Sequence, residues 1–268
     1  MKKLIALAMI LAAVSCTKAP QKMLILYYSQ NGATETVANE LQSRLGADIE
    51  AIVPVLPYDG DFQATIERGR QELEGQLPEI QPLASDLSKY DVIFLGYPIW
   101  FGTYAPPVAR LLQDADFSGK KIVPFCTFGS GGLDSSVANL AEAAPEAEIL
   151  PGYGVRAARI AAVPKEIDRF LKAGGFIEGE VEPIEDFPAL HEASEEESAV
   201  FDAAVDGYPM LNAKAEQVAS RNVPGGVEYL FEAKDQSGFP GMDAPGRTLK
   251  VYVLKEDGQS PVFTQVVR

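Results

Sequence analysis

Histidine and cysteine are nearly absent from this chain, with one His and two Cys in 268 residues. The lone His191 lies in an acidic stretch and reads as a surface residue, and no other histidine remains to serve as the base of a Ser/His/Asp hydrolase, which excludes that class. Two cysteines, Cys16 and Cys126, give no disulfide framework, so a core and not cross-links must stabilise the fold. Basic residues are also short: 23 Lys and Arg stand against 38 Asp and Glu, a net charge of −15. Such a surface repels nucleic acid and anionic lipid, so neither is expected as a direct partner. No apolar run at the N-terminus is long enough to span a bilayer. Leu4–Val14, behind Met1-Lys2-Lys3, is too short and fits a secretory signal instead.

What is present is a normal apolar fraction, 47%, and a length that allows one large or two small domains. Met23-Leu24-Ile25-Leu26-Tyr27-Tyr28 is an unbroken apolar run of strand length, as in a parallel sheet covered on both faces. Ser29-Gln30-Asn31-Gly32-Ala33-Thr34 follows, and helical periodicity begins at about Thr34. A strand that turns through a polar, glycine-containing loop into a helix N-terminus can hold a phosphate by converging N–H groups and the helix dipole. No Lys or Arg occurs between Met23 and Ser43, so hydroxyls and amides alone would hold the anion. The Gly-Lys-Ser/Thr ending of a nucleotide-triphosphate loop is missing, as are the three spaced glycines of a dinucleotide fingerprint. The plainer alternative is a strand–loop–helix turn with Ser and Thr as caps.

Strands and helices alternate to about Ala173. Strand patterns fall at Asp48–Val53, Val92–Leu95, Lys121–Cys126 and from Ala147 to Leu150. Helical patterns fall at Thr34–Leu45, Asp61–Glu74, Ala105–Leu112, Leu133–Ala144 and Pro164–Ala173. Five such units predict an α/β, doubly wound parallel sheet with helices on both faces. Ligands then sit beyond the carboxyl ends of the strands at the switch point. Three unusual loops lie there: Ser29–Thr34, Gly96–Tyr104 and Thr127–Gly132. The second holds Pro98, Ile99, Trp100, Phe101, Gly102 and Tyr104, including the only Trp, and suggests a flat aromatic ligand. The third holds Thr127, Phe128, Gly129, Gly131 and Gly132, whose small residues let backbone approach a ring edge.

The first loop resembles the flavodoxins' Ser/Thr-x-Thr-Gly-x-Thr phosphate loop, with Ser29, Gly32 and Thr34 matching and Asn31 where Thr is usual. Gly-Tyr-Pro-Ile-Trp-Phe-Gly and Cys-Thr-Phe-Gly-Ser-Gly-Gly extend the resemblance over about residues 23–173. The resemblance implies a flavodoxin-like five-stranded parallel sheet and FMN as cofactor, held by the three loops from Ser29 (with Gln30 and Ala33) to Gly132. It also implies an unidentified redox partner protein and no catalytic acid or base, since the flavin carries the chemistry. The other reading open at this stage is a binding protein whose flavodoxin-like domain has lost its cofactor.

Ser15-Cys16 after the apolar segment resembles a bacterial lipoprotein signal. It implies lipidation at Cys16, anchorage to a membrane through lipid alone, and exposure to the periplasm. The expected organisation is a signal at 1–15, a tether at 16–22, the α/β domain at 23–175, an acidic linker at 176–194 and a further domain at 195–268. Residues 178–206 contain eleven Asp or Glu and no Lys or Arg, which reads as a solvated linker and helix start. One helix and four antiparallel strands then predict a small α+β domain. Lys214–Ala219, Val227–Ala233 and Leu249–Leu254 resemble cystatins. Gln217 matches the first residue of the inhibitory Gln-x-Val-x-Gly, but Ala219 and Arg221 stand where Val and Gly would, which speaks against protease inhibition.

Overall fold

The computed structural model describes residues 21–58, 61–236 and 246–268. Cys16, the segment before it and most of the 16–22 tether lie outside the described residues.

The apolar run forms β1 (Met23–Tyr27), in which Leu24, Ile25 and Leu26 have no exposed surface. Next come α1 (Ala33–Leu45), β2 (Asp48–Ala51), α2 (Phe62–Glu74), β3 (Val92–Trp100), β4 (Thr103–Tyr104) and α3 (Pro106–Asp114). They are followed by β5 (Lys121–Phe128), α4 (Leu133–Ala143), β6 (Glu148–Ile149), β7 (Tyr153–Arg156) and α5 (Val163–Ala173). The parallel order is β2-β1-β3-β5, with β6 and β7 both on the far side of β5. That is the doubly wound sheet the alternation predicts, with five strand positions.

Strand side chains alternate between faces, so the sheet builds two cores. Leu24, Leu26, Ile93, Leu95 and Tyr97 pack with Val108, Leu111 and Leu140 on one side. Ile25, Tyr27, Phe94, Val123 and Phe125 pack with Val37 and Leu41 of α1 and Val163, Ile167 and Leu171 of α5 on the other. Each such side chain, fully buried, contributes about 1.5–3 kcal/mol. A sheet covered on both faces therefore needs no cross-link.

The strand limits differ from expectation most at β2, β3 and the fifth strand, while β1 ends one residue earlier and β5 runs on to Phe128. β2 ends at Ala51, before Val53 and Pro54, which leave the sheet. β3 runs on to Trp100, because Pro98 pairs with Thr127 of β5 and Ile99 and Trp100 pair with β4. The fifth strand breaks at Pro151-Gly152, where a Cβ on Gly152 would lie 2.9 Å from the Pro124 carbonyl oxygen.

The C-terminal domain comprises β8 (His191–Glu192), α6 (Glu195–Val205), β9 (Ala213–Val223), β10 (Gly226–Asp235), β11 (Thr248–Glu256) and β12 (Val262–Val267). Its antiparallel sheet has the order β12-β11-β10-β9-β8, one short strand more than the sequence pattern predicts. Ser194 and Glu197 form a reciprocal cap on α6. Phe201 packs on Phe231 among Val218, Val251, Val253 and Phe263. The segment Gln217–Arg221 lies within β9, opposite Glu232 to Glu228 of β10. It is not a projecting hairpin, which removes the geometry protease inhibition would use. His191 is exposed and lies 3.1 Å from Glu197.

The linker's carboxylates are exposed, in keeping with the solvated reading, while its backbone is fastened to both domains. Arg169 donates to the Glu182 carbonyl at 2.8 Å and Arg221 to the Glu185 carbonyl at 3.1 Å. The Arg221 guanidinium also lies 4.1 Å from the centre of the Phe187 ring.

Candidate functional site

The three loops meet at one end of the parallel sheet. The Tyr28 N–H donates to the Gly96 carbonyl at 2.9 Å, joining the first loop to the second. The hydroxyls of Thr34 and Thr127 lie 2.9 Å apart, joining the first to the third. Ser135 donates to the Gly102 carbonyl at 2.8 Å, joining the second to the helix that follows the third.

The first loop is built by the β1 exit and the α1 N-terminus. Gly32 caps α1 at φ 87°, a left-handed conformation that other residues resist, and nothing lies within 4 Å of where its Cβ would be. The Gly32 N–H donates to Ser29 Oγ at 3.1 Å and the Ala33 N–H to Asn31 Oδ1 at 3.3 Å. Ser29 and Asn31 thus shape the loop while Gly32 faces open space. A phosphate fits this donor set: a helix N-terminus with no side-chain cap, ringed by hydroxyls and an amide. Thr34 is buried, so its hydroxyl belongs to the floor of the loop, not its rim. Gln30 reaches outward to Thr65 of α2 at 3.2 Å.

The second stretch is not the exposed aromatic loop that its composition suggests. Trp100 is half-buried, edge-on to Tyr28 and Tyr58 with ring centres 6.1 and 5.1 Å away. Helix α2 lies over it, and a Cβ on Gly69 would be 3.0 Å from the indole. Tyr104 packs edge-on to Tyr97, and Ile99 packs against Gly132, so both belong to the core beneath the rim. Phe101 is the exposed aromatic of the turn, at φ 52° and half-exposed, with Arg70 5.5 Å from its ring. Gly102 completes that turn at φ 80°. Pro98 lies in β3, opposite Thr127.

The third loop is approached by the C-terminal domain. The Val266 N–H donates to the Ser130 carbonyl at 2.6 Å, and Arg156 Nε donates to the Gly129 carbonyl at 2.8 Å. A Cβ on Gly131 would lie 2.2 Å from the Val266 carbonyl oxygen. The close approach that Gly131 permits is therefore taken by β12. Phe128 is buried in the first core and Gly132 caps α4.

Burial pushes the hydroxyls of Tyr28 and Tyr97 and the Cys126 thiol well above their ordinary values. All three stay protonated at neutral pH, so the site contains no thiolate nucleophile. Sequence reasoning missed Tyr58, Arg68 and Arg156. Tyr58 and Arg68 come together across the stretch before α2, the guanidinium 3.9 Å from the ring. Arg156 lies 107 residues from Phe263, whose carbonyl it bonds, and no local pattern encodes that contact.

A doubly wound parallel sheet with its loop cluster at the switch point defines a class of ligand-binding α/β domain. Residues 22–163 match the model of the flavodoxin family, and the chain belongs to that family. Among solved structures it is similar to a flavoprotein from Bacteroides eggerthii, at 27% identity over 56% of this chain and 99% of that one, with a TM-score of 0.48. A flavoprotein from Bacteroides uniformis is 25% identical over 55% and 98%, with a TM-score of 0.49. A flavoprotein from Lactobacillus acidophilus, in complex with FMN, is 24% identical over 56% and 98%, with a TM-score of 0.48. No curated protein matches the chain.

Proposed function

We propose that this protein binds FMN at the loop cluster and acts in electron transfer or flavin-dependent reduction on the periplasmic side of a membrane. The observation that carries the reading is the first loop: an uncapped helix N-terminus faces open space and is joined by hydrogen bonds to the ends of β3 and β5. Ser29, Asn31, Thr34 and the N–H groups of the first turn would hold the phosphate. Phe101 and the Trp100 cluster would border the ring on one side, and the third loop would meet its polar edge. The bound flavin supplies one- and two-electron chemistry. The residues of this chain bind it, orient it and exclude water.

Partner docking is supported by exposed apolar residues in the segment between β2 and α2, at the start of α2 and in the second loop. Phe62 and Leu56 are largely exposed, as are Val53 and Phe101 in part. Val53 lines a cavity of about 450 Å³ together with Ser29 and Gln30. An apolar patch next to a cofactor suits a protein that docks and leaves.

The purified mature protein is expected to be yellow, with about one FMN per chain by its visible spectrum. A colourless protein that also fails to take up added FMN supports instead a lipid-anchored binding protein that has lost its cofactor. Anchorage rests on Cys16: Cys16→Ser is expected to move the protein from the membrane to the soluble periplasmic fraction, since stable anchoring needs more than one acyl chain. Wild-type protein that already fractionates as soluble would overturn that part.

A further inference from the structure

We propose that Arg156 is a positioning residue for the third loop, and that through it the C-terminal domain forms a wall of the flavin site. The inference rests on the FMN reading above and names what holds one side of that site. Arg156 ends β7 and is nearly buried, yet its hydrogen bonds go to no carboxylate. They go to two carbonyls from different domains: Gly129 from Nε at 2.8 Å and Phe263 from Nη1 at 3.0 Å. Its guanidinium lies 3.4 Å from the centre of the Phe263 ring and 5.2 Å from that of Tyr208. A planar, permanently charged fork suits this task, because it bonds two acceptors at once while stacking on aromatic faces. A lysine ammonium reproduces the charge but not the fork.

The rest of the loop is held from the same side. Ser130 accepts from the Val266 N–H at 2.6 Å, and its hydroxyl lies 3.4 Å from the Arg268 guanidinium. Gly131 lies so close to β12 that no side chain fits between them. Residues 129–131 are thus clamped at each position by Arg156 or by the last strand. The clamped segment begins two residues after Thr127, whose hydroxyl meets Thr34 in the phosphate loop. Were the clamp released, the backbone that faces the ring edge would no longer be fixed. Binding strength and redox potential would then both change. The C-terminal domain is, on this view, part of the site and not an appendage on a free linker.

The test uses the full-length mature protein and two variants. Arg156→Lys keeps the charge, and Val266→Pro deletes the N–H that Ser130 accepts from, on an edge strand. Amide hydrogen exchange on the flavin-free protein is expected to quicken by about tenfold over residues 127–132, while residues 23–28 keep wild-type protection. FMN Kd is expected to rise by roughly tenfold in each variant, the scale of losing a hydrogen bond made by a charged group. The midpoint potential and the visible flavin spectrum are expected to shift with it. Wild-type loop exchange, Kd and potential in both variants would overturn the proposal. So would a lowered Tm with unchanged Kd and potential, because the contact would then be structural only. Wild-type protein that takes up no FMN overturns the functional reading, and exchange of the flavin-free protein still decides whether Arg156 holds the loop.

Discussion

Gly96→Ala is expected to lower the unfolding free energy by about 3 kcal/mol, the upper end of what overpacking a core costs. Gly96 lies in the central strand β3, directly opposite Phe125 of β5. A Cβ there would lie 2.1, 2.3 and 2.8 Å from three atoms of the Phe125 ring. The ring has no exposed surface and packs in the second core, so it has nowhere to swing. Relief requires the two strands to part, which strains the ladder on both sides. The Gly96 carbonyl also accepts from the Tyr28 N–H, so the strain reaches the base of the first loop. Phe125→Leu opens space at this point. It is destabilising alone, but in the Gly96→Ala background it should recover part of the loss, with a coupling of roughly 1–3 kcal/mol. Guanidinium unfolding followed by far-UV circular dichroism reads all four proteins. Additive effects, or a Gly96→Ala cost under about 1 kcal/mol, would mean that β3 and β5 yield where the packing says they cannot.

The parallel sheet was legible because its signals are local. Met23–Tyr28 is a two-faced apolar run, Pro106-Pro107 opens α3, and Gly32 sits where a left-handed residue must end the first turn. The meeting of the loops followed from topology alone, since successive parallel strands end at the same edge. What they do there was less legible. Trp100 reads as an exposed ring-stacking residue until α2 is seen lying over it, and α2 buries only Thr65 and Gly69, too few residues to print a face. Composition shows the linker's solvated carboxylates but not that its backbone is ordered. Its ordering comes from Arg169 and Arg221, whose hydrogen bonds go to its backbone carbonyls and not to its carboxylates. Backbone acceptors leave no trace in a charge pattern. Arg156 was invisible for the same reason.

Thr34→Val is expected to raise the Kd for FMN by roughly ten- to a hundredfold, about 1.5–3 kcal/mol, while riboflavin binding barely changes. The side chains match in shape, so the substitution removes a hydroxyl and little else. That hydroxyl lies 2.9 Å from the Thr127 hydroxyl, and either can be the donor. A hydroxyl has one proton and two acceptor positions. If Thr127 donates, the Thr34 proton is left for a phosphate at the α1 N-terminus, in a stretch (Met23 to Ser43) that holds no Lys or Arg. The valine variant should also lose about 1–3 kcal/mol of stability, because the buried Thr127 hydroxyl is left without its partner. Thr127→Val separates the two effects. It orphans the Thr34 hydroxyl and costs similar stability, but leaves that proton for the phosphate, so FMN affinity should stay within a few-fold of wild type. The double variant removes both hydroxyls, should recover much of the stability, and should bind FMN as weakly as Thr34→Val alone. Titration of the flavin-free proteins with FMN and riboflavin, beside denaturant unfolding, gives every value needed. Equal loss for both flavins would mean that Thr34 serves only the packing between α1 and β5.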